Sequence, residues 1–385
     1  MNYRIIYNLV KNAPTPLYVY DGNTIVKNAT LLQKAFSNFQ IFYSVKANPN
    51  HNVCLELSRL KLGAEVVTSG ELKIALTAGF ERSNILFAGP AKTKDQIDFA
   101  LSENVNLFTA ESVNQLVLLN ERGKKGKRVI PVLLRLNVRN FSSTAWETMA
   151  GEESHFGIDV NVIKKSKSLI RSLKNIDIVG TQCYVGSQIL DPTLLAKSVQ
   201  HQIEISKVLT SMIPLTISLL DIGGGFGIPY NDNDFAINLK TCSTLVNEVA
   251  QTSLNPSTGL ILESGRYLVG NSGLFITRVI DVKKNFGKYF VLCDGGFVGF
   301  TRPLLTQTFH RIKILKRKSN IKKKEKWKLC GFSCSSIDVL GTVYLPLPEI
   351  GDILAVCDAG AYGHSMSIKN FHCVDTPQEL YIETH

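Results

Sequence analysis

A rhythm in the chain narrows its fold more than any other feature. From about residue 40 to 263, short apolar runs rich in β-branched residues alternate with longer stretches of helical period. The runs are IFYSVK (41–46), AEVV (64–67), NILF (84–87), VNLF (105–108), VIPVLLRL (129–136), IDIVGTQCY (176–184), ISLLDI (217–222) and LILE (260–263). Helical stretches fall at 51–61, 70–79, 94–102, 111–120, 192–211 and 238–252. Eight strand-then-helix units over about 225 residues match the size of a (β/α)8 TIM barrel. An open doubly wound sheet is the alternative; eight strands favour closure without requiring it. After residue 270 the pattern changes. LFITRVIDVKKN, KYFVLCDG, RIKILKR and DILAVCDAG are β-prone and joined by short turns, which predicts a C-terminal antiparallel β domain. PTPLYVYD near the N-terminus is expected to add a strand to it. The expected division is 1–25 with the β domain, 26–265 as the barrel and 266–385 as the β domain, all α/β in class.

Composition bounds the function. The 385 residues are 44% hydrophobic and 19% charged, as in a globular enzyme. No apolar run approaches a membrane span and no charged-then-apolar leader opens the chain, so a cytoplasmic protein without membrane contact is expected. Eight cysteines include no C-x-x-C pair and no Cys/His spacing suited to zinc. Reduced thiols and no metal are the expectation. The net charge of +11 is concentrated at 310–328, HRIKILKRKSNIKKKEKWK, with ten Lys or Arg against one Glu. Such a run is either a solvated hairpin or loop, or a docking patch for an acidic partner. It lacks the interleaved aromatics of a nucleic-acid surface.

Barrel chemistry gathers at the carboxyl ends of the strands. The first run ends at Lys46 and the fifth near Arg135; the sixth leads to Tyr184 and Ser187. The seventh leads to Gly223, Gly224 and Gly225, and the eighth to Glu263, Gly265 and Arg266. Consecutive glycines let backbone N–H groups surround an anion. There is no Walker pattern, so a nucleoside triphosphate is not indicated. A phosphate-binding rim, one lysine at another strand end and a nearby glutamate together suggest pyridoxal 5′-phosphate. Lys46 would form the Schiff base, and Glu263 would face the pyridine nitrogen and keep it protonated.

A series of ordered motifs resembles the fold-type III pyridoxal-phosphate decarboxylases, the family of diaminopimelate, ornithine and arginine decarboxylases. They are YSVKAN, AEVVTSGEL, HFGI, DIGGGFG, ESGRYLV, CSSIDVL and DAGAYGHSMSIKNF, with DGGFVGFTRPLL in its place between the fifth and sixth. The resemblance spans nearly the whole chain. It implies the alanine racemase-like fold and a head-to-tail homodimer with shared active sites. It also implies Cys334 as the acid that protonates Cα from the partner protomer, with Tyr362 reaching the cofactor across the same interface. Glu65, Arg135, Tyr184, Ser187, the three glycines, Glu263, Gly265 and Arg266 fall at cofactor positions, and Arg302 and Ser335 at substrate positions.

Three departures are informative. Where the family carries Glu or Asp after the cysteine, to read a distal ammonium, this chain has Ser335. Common basic substrates thereby lose their counter-charge. Tyr184 replaces a histidine stacked on the ring, and His155 replaces a lysine that pairs with the aspartate matching Asp338. Tyr184 followed by VGSQIL resembles the specialised-biosynthesis branch, which acts on siderophore precursors or on glutamyl groups held by acyl carrier proteins. An acidic carrier would suit the basic 310–328 segment. The expected reaction is α-decarboxylation. An amino-acid racemase and a catalytically silent regulatory homologue are the alternatives.

Overall fold

In the computed structural model, which describes residues 2–138, 147–148, 154–315 and 324–383, the chain forms two compact units. One comprises Ala29–Gly227 with Ala236–Gly265; the other comprises Met1–Asn28, Ile228–Phe235 and Arg266–His385.

The first unit is a closed, all-parallel eight-stranded barrel. Its strands, in chain order, are Phe39–Ser44, Gly63–Val66, Ile85–Phe87, Leu107–Ala110, Ile130–Arg135, Ile176–Gln182, Leu215–Asp221 and Gly259–Ser264. All eight expected strands are present, and the eighth pairs with the first to close the ring, Glu263 opposite Phe42 and Ser264 opposite Tyr43. Closure settles the choice against an open sheet. Phe42, Leu86, Leu133 and Ile261, from the first, third, fifth and eighth strands, are buried together and fill the barrel centre. The six expected helices also form, several with side-chain caps. Thr93 and Gln96 make a full capping box on Lys94–Ser102, and Asp191 caps Pro192–Thr210. One boundary matters for function. The first strand stops at Ser44, and Lys46 lies in the 3₁₀ turn Val45–Ala47 that follows.

The second unit is built on an eight-stranded sheet. The N-terminal strand Leu17–Asp21 lies antiparallel to Gly273–Asn285. The sheet is antiparallel except at two places: Leu17–Asp21 runs parallel to Gln378–Ile382, and Lys288–Cys293 runs parallel to Glu325–Cys330. Its core joins Ile6 and Val10 of the helix Tyr3–Val10 to Leu17, Val19, Leu274, Ile276 and Ile353. Of the basic run, 316–323 lie outside the described residues; the described remainder includes the strands Ile312–Ile314 and Glu325–Cys330. All eight cysteines are unpaired.

Candidate active site

The turn carrying Lys46 and the glycine loop share one rim of the barrel. The Lys46 side chain is 41% exposed, and its Nζ donates to Glu65 Oε2 at 2.5 Å, from the end of the second strand. Gly265 packs directly on this turn: a Cβ there would come within 2.8 Å of Ala47 Cβ. Gly224 packs as closely on the eighth strand, where a Cβ would meet the Glu263 carbonyl oxygen at 1.9 Å. Gly223 and Gly225 have φ of +63° and +98°, the region that favours glycine. A Cβ on Gly223 would strike the Cys183 carbonyl at 2.3 Å and the Tyr184 ring at 3.1 Å, so Tyr184 lies against the loop. A Cβ on Gly225 would strike the Gly186 carbonyl, beside Ser187, at 2.2 Å.

Beneath this rim sits a buried acidic pair. Glu263 Oε1 accepts from Gln182 Nε2 at 3.2 Å, and Asp221 Oδ1 accepts from the Gly223 amide at 2.8 Å. Burial first, then the Glu263 charge, pushes the Asp221 carboxyl well above the usual range. Burial and then Glu65 raise Glu263, while Lys46 pulls it down. Two neighbouring buried carboxylates disfavour ionising together. The stronger upward push falls on Asp221, while the Lys46 charge favours the ionised form of Glu263.

Sequence reasoning missed two polar residues of the barrel. Glu111, just past the fourth strand, binds Arg135 Nη1 at 3.0 Å and the Gly157 amide at 3.1 Å. Arg135 also lies 4.7 Å above the Phe156 ring, so Glu111 ties Arg135 to the HFGI segment. Lys92 is buried, donating to the Gly89 carbonyl at 2.6 Å and to Thr109 and Gln115; burial lowers it to about 7. Both occupy strand-end loops, the position that drew attention to Arg135; the signal was there, in FTAE and GPAK. His155 is exposed and stacks on Phe156 at 3.9 Å.

In the second unit, Arg266 donates to the Tyr230 hydroxyl at 2.7 Å and lies 5.0 Å from the Tyr362 ring. Arg302 sits 4.0 Å over the Tyr230 ring and meets His310 Nε2 at 2.5 Å, while His310 Nδ1 lies 2.7 Å from the Cys357 carbonyl. Burial and the Arg302 charge hold His310 near 3, so it is neutral, donating through Nδ1 and accepting from Arg302. Tyr230, unmarked in sequence, joins both arginines. Cys334 is exposed on the 331–338 loop. Asp338 shapes this loop by accepting from the Ser333 and Phe297 amides at 2.9 and 2.7 Å. The Ser335 amide donates to Ser333 Oγ at 3.1 Å.

The rim fits a phosphorylated aldehyde. The amides of Gly224 and Gly225 meet no acceptor among the described residues. The Ser264 hydroxyl is likewise buried without a partner there. An anion beside those donors, with a primary amine at the same rim, satisfies both needs. No group of three or more His, Cys, Asp or Glu suited to a metal occurs among the described residues, and no described helix is long and apolar enough to cross a membrane.

A barrel with this rim defines a class, the enzymes that hold pyridoxal phosphate at the strand ends of a (β/α)8 barrel. The model of the pyridoxal-binding domain of pyridoxal-dependent decarboxylases matches residues 22–270, and the chain belongs to that family. The chain is 30% identical over 385 residues to the L-glutamyl-[BtrI acyl-carrier protein] decarboxylase of Niallia circulans, covering 97% of this chain and 90% of that one. It is 34% identical over 363 residues to the diaminopimelate decarboxylase of Aquifex aeolicus, covering 93% and 84%. The crystal structure of Helicobacter pylori diaminopimelate decarboxylase complexed with L-lysine superposes with a TM-score of 0.90 at 28% identity, covering 98% of this chain and 94% of that one. The protein is thus a pyridoxal-phosphate-dependent amino acid decarboxylase.

Proposed function

We propose that this enzyme removes the α-carboxylate of an amino acid whose distal end carries no free ammonium, with a glutamyl group on an acidic acyl carrier protein as the leading substrate. A siderophore precursor is a member of the same chemical class. The observation that carries this reading is Ser335: a neutral hydroxyl follows Cys334 where relatives that read a distal ammonium place a carboxylate. The 30% identical relative that acts on a carrier-bound glutamyl group supports it. So does the sheet face where Lys283 and Lys328 flank Phe290 in register, both lysines exposed. The Aquifex aeolicus relative favours a second reading, diaminopimelate, which Ser335 opposes.

Roles follow from position. Lys46 is the amine that anchors the cofactor aldehyde, oriented by Glu65. The Gly224 and Gly225 amides, with Ser187, Gly223, Gly265 and Arg266, hold the phosphate. Tyr184 stacks on the ring, and Tyr362 and Arg135 complete the cofactor site. Bound pyridoxal phosphate supplies an electron sink for the bond broken at Cα. Glu263, fixed by Gln182, keeps the pyridine nitrogen protonated. Arg302 receives a substrate carboxylate, its planar fork set by His310 and Tyr230. Cys334 gives its thiol proton to Cα in the site of a second copy, so the working unit is a homodimer. The exposed apolar side chains around it, Phe332, Ile337 and Phe371, suit a surface covered by that copy.

The test is carbon dioxide release from carrier-bound L-glutamate, free L-glutamate and meso-diaminopimelate. Release from the carrier-bound form, lost when Lys326 and Lys328 are changed to Glu, is expected. Efficient release from diaminopimelate alone would refute the substrate assignment.

A further inference from the structure

The turn after Asn370 brings a histidine to the thiol of Cys334. His372 Nε2 lies 3.9 Å from Cys334 Sγ and 3.0 Å from Ser333 Oγ. The imidazole sits between two rings, with centroids 4.2 Å from Phe371 and 6.1 Å from Phe332. The backbone is bent to put it there. Asn370, His372 and Cys373 have φ of 66°, 58° and 56°, left-handed values that cost a residue with a bulky side chain more than glycine. His372 is exposed in the single chain, on the surface assigned above to the second copy. A surface turn has no packing need for three such residues within four positions; holding an imidazole over a thiol is a reason for them.

We propose that His372 reloads Cys334 with a proton after each turnover. The proposal rests on the reading of Cys334 as the acid that protonates Cα. A thiol that gives its proton to carbon is left as a thiolate, and the next cycle needs the S–H bond restored. In the proposed step the protonated imidazole gives its Nε2 proton to the Cys334 sulfur. The Nε2–H bond breaks, the S–H bond forms, and the vacated Nε2 then takes a proton from water reaching the site, while Nδ1 keeps its own. No oxidant or further reactant is needed. Histidine is the side chain suited to this exchange near neutral pH. Ser333 has a positioning part: its hydroxyl holds Nε2 within reach of the sulfur. The other reading is structural, with the Ser333–His372 hydrogen bond pinning two loops together.

Two measurements separate these. The first is the rate at which iodoacetamide alkylates Cys334 at neutral pH in the holoenzyme, read by peptide mass spectrometry in a Cys373→Ser background. His372→Gln can keep the hydrogen bond to Ser333 but cannot carry the proton, so alkylation is expected to fall severalfold. The second is carbon dioxide release from carrier-bound L-glutamate or meso-diaminopimelate, whichever the wild type accepts. His372→Gln and His372→Ala are expected to lower kcat roughly a hundredfold, the low end for proton-transfer groups, with KM unchanged. Added imidazole is expected to restore much of the loss in His372→Ala. Unchanged alkylation and unchanged kcat in both variants would overturn the proposal, and so would a kcat loss that imidazole leaves unrestored and His372→Gln does not share. A Cys334→Ala control distinguishes the two levels. If it turns over normally, the acid assignment itself fails. If it is slow while the His372 variants are normal, only the reloading step fails.

Discussion

Removing Glu111 should cost the barrel a large part of its stability, and the amount can be worked from its contacts. The Glu111 and Arg135 side chains are 2% and 10% exposed and meet at 3.0 Å. Breaking such a buried pair by deleting one partner typically costs about 3–5 kcal/mol, because the remaining charge stays buried. Glu111→Ala also strands the part-buried Gly157 amide; an unmet donor costs roughly 1–3 kcal/mol when fully buried and less here, part of which overlaps the first figure. Domains are stable by about 5–15 kcal/mol, so a loss near 4 kcal/mol leaves the barrel marginal. Glu111→Gln keeps an acceptor for one of the two donors and should lose about half as much. Removing both charges, as in Glu111→Gln with Arg135→Met, should be less damaging than the two single changes summed, with a coupling of at least about 1 kcal/mol. Urea titrations followed by far-ultraviolet circular dichroism give the midpoints and slopes. A Glu111→Ala loss under 1 kcal/mol, or strict additivity in the cycle, would show that the pair is not a buried, mutually dependent unit.

Other outcomes follow from particular contacts. Gly224→Ala must displace the Glu263 carbonyl, which a Cβ would approach to 1.9 Å, so calorimetric titration should show pyridoxal phosphate binding weakened at least tenfold; wild-type affinity would contradict the packing. Burial lowers Lys92 to about 7, below its unfolded value of about 10.4. The unfolded chain then binds more protons between those values, so stability contributed at this site rises with pH from 7 toward 10. Lys92→Met should lack that rise, and parallel wild-type and variant stability curves across the window would refute the shift. Ser335→Glu should raise kcat/KM for meso-diaminopimelate and lower it for carrier-bound glutamate; no change in their ratio would remove Ser335 as the specificity determinant.

The barrel was legible because its signal is local. Each strand is a short β-branched run and each helix a 3.6-residue period, so both survive without knowledge of neighbours, and boundaries moved only by a few residues. The helix Gly22–Ala35 lay outside the expected helices: its Asn, Thr and Gln residues blur the apolar stripe. The two parallel pairings of the second unit could not be read, since Tyr289 and Trp327 become partners only when strands meet across a long connection. The candidate site divides the same way. Lys46, the glycines and Glu263 announce themselves at strand ends. Tyr230 and His372 do not, because nothing near them in the chain says that they meet Arg302 and Cys334. Asp221 falls inside the glycine motif, yet the upward push on its carboxyl depends on burial that only the closed barrel supplies.

The central claim is that one amine, on the turn after the first barrel strand, carries the cofactor. Borohydride reduction of the purified holoenzyme, followed by digestion and peptide mass spectrometry, reads that link directly. The mass of reduced pyridoxal phosphate should appear on Lys46 and on no other lysine, and the Lys46→Ala variant should carry none. A tag on Lys92 or another lysine, with Lys46 unmodified, would contradict the account.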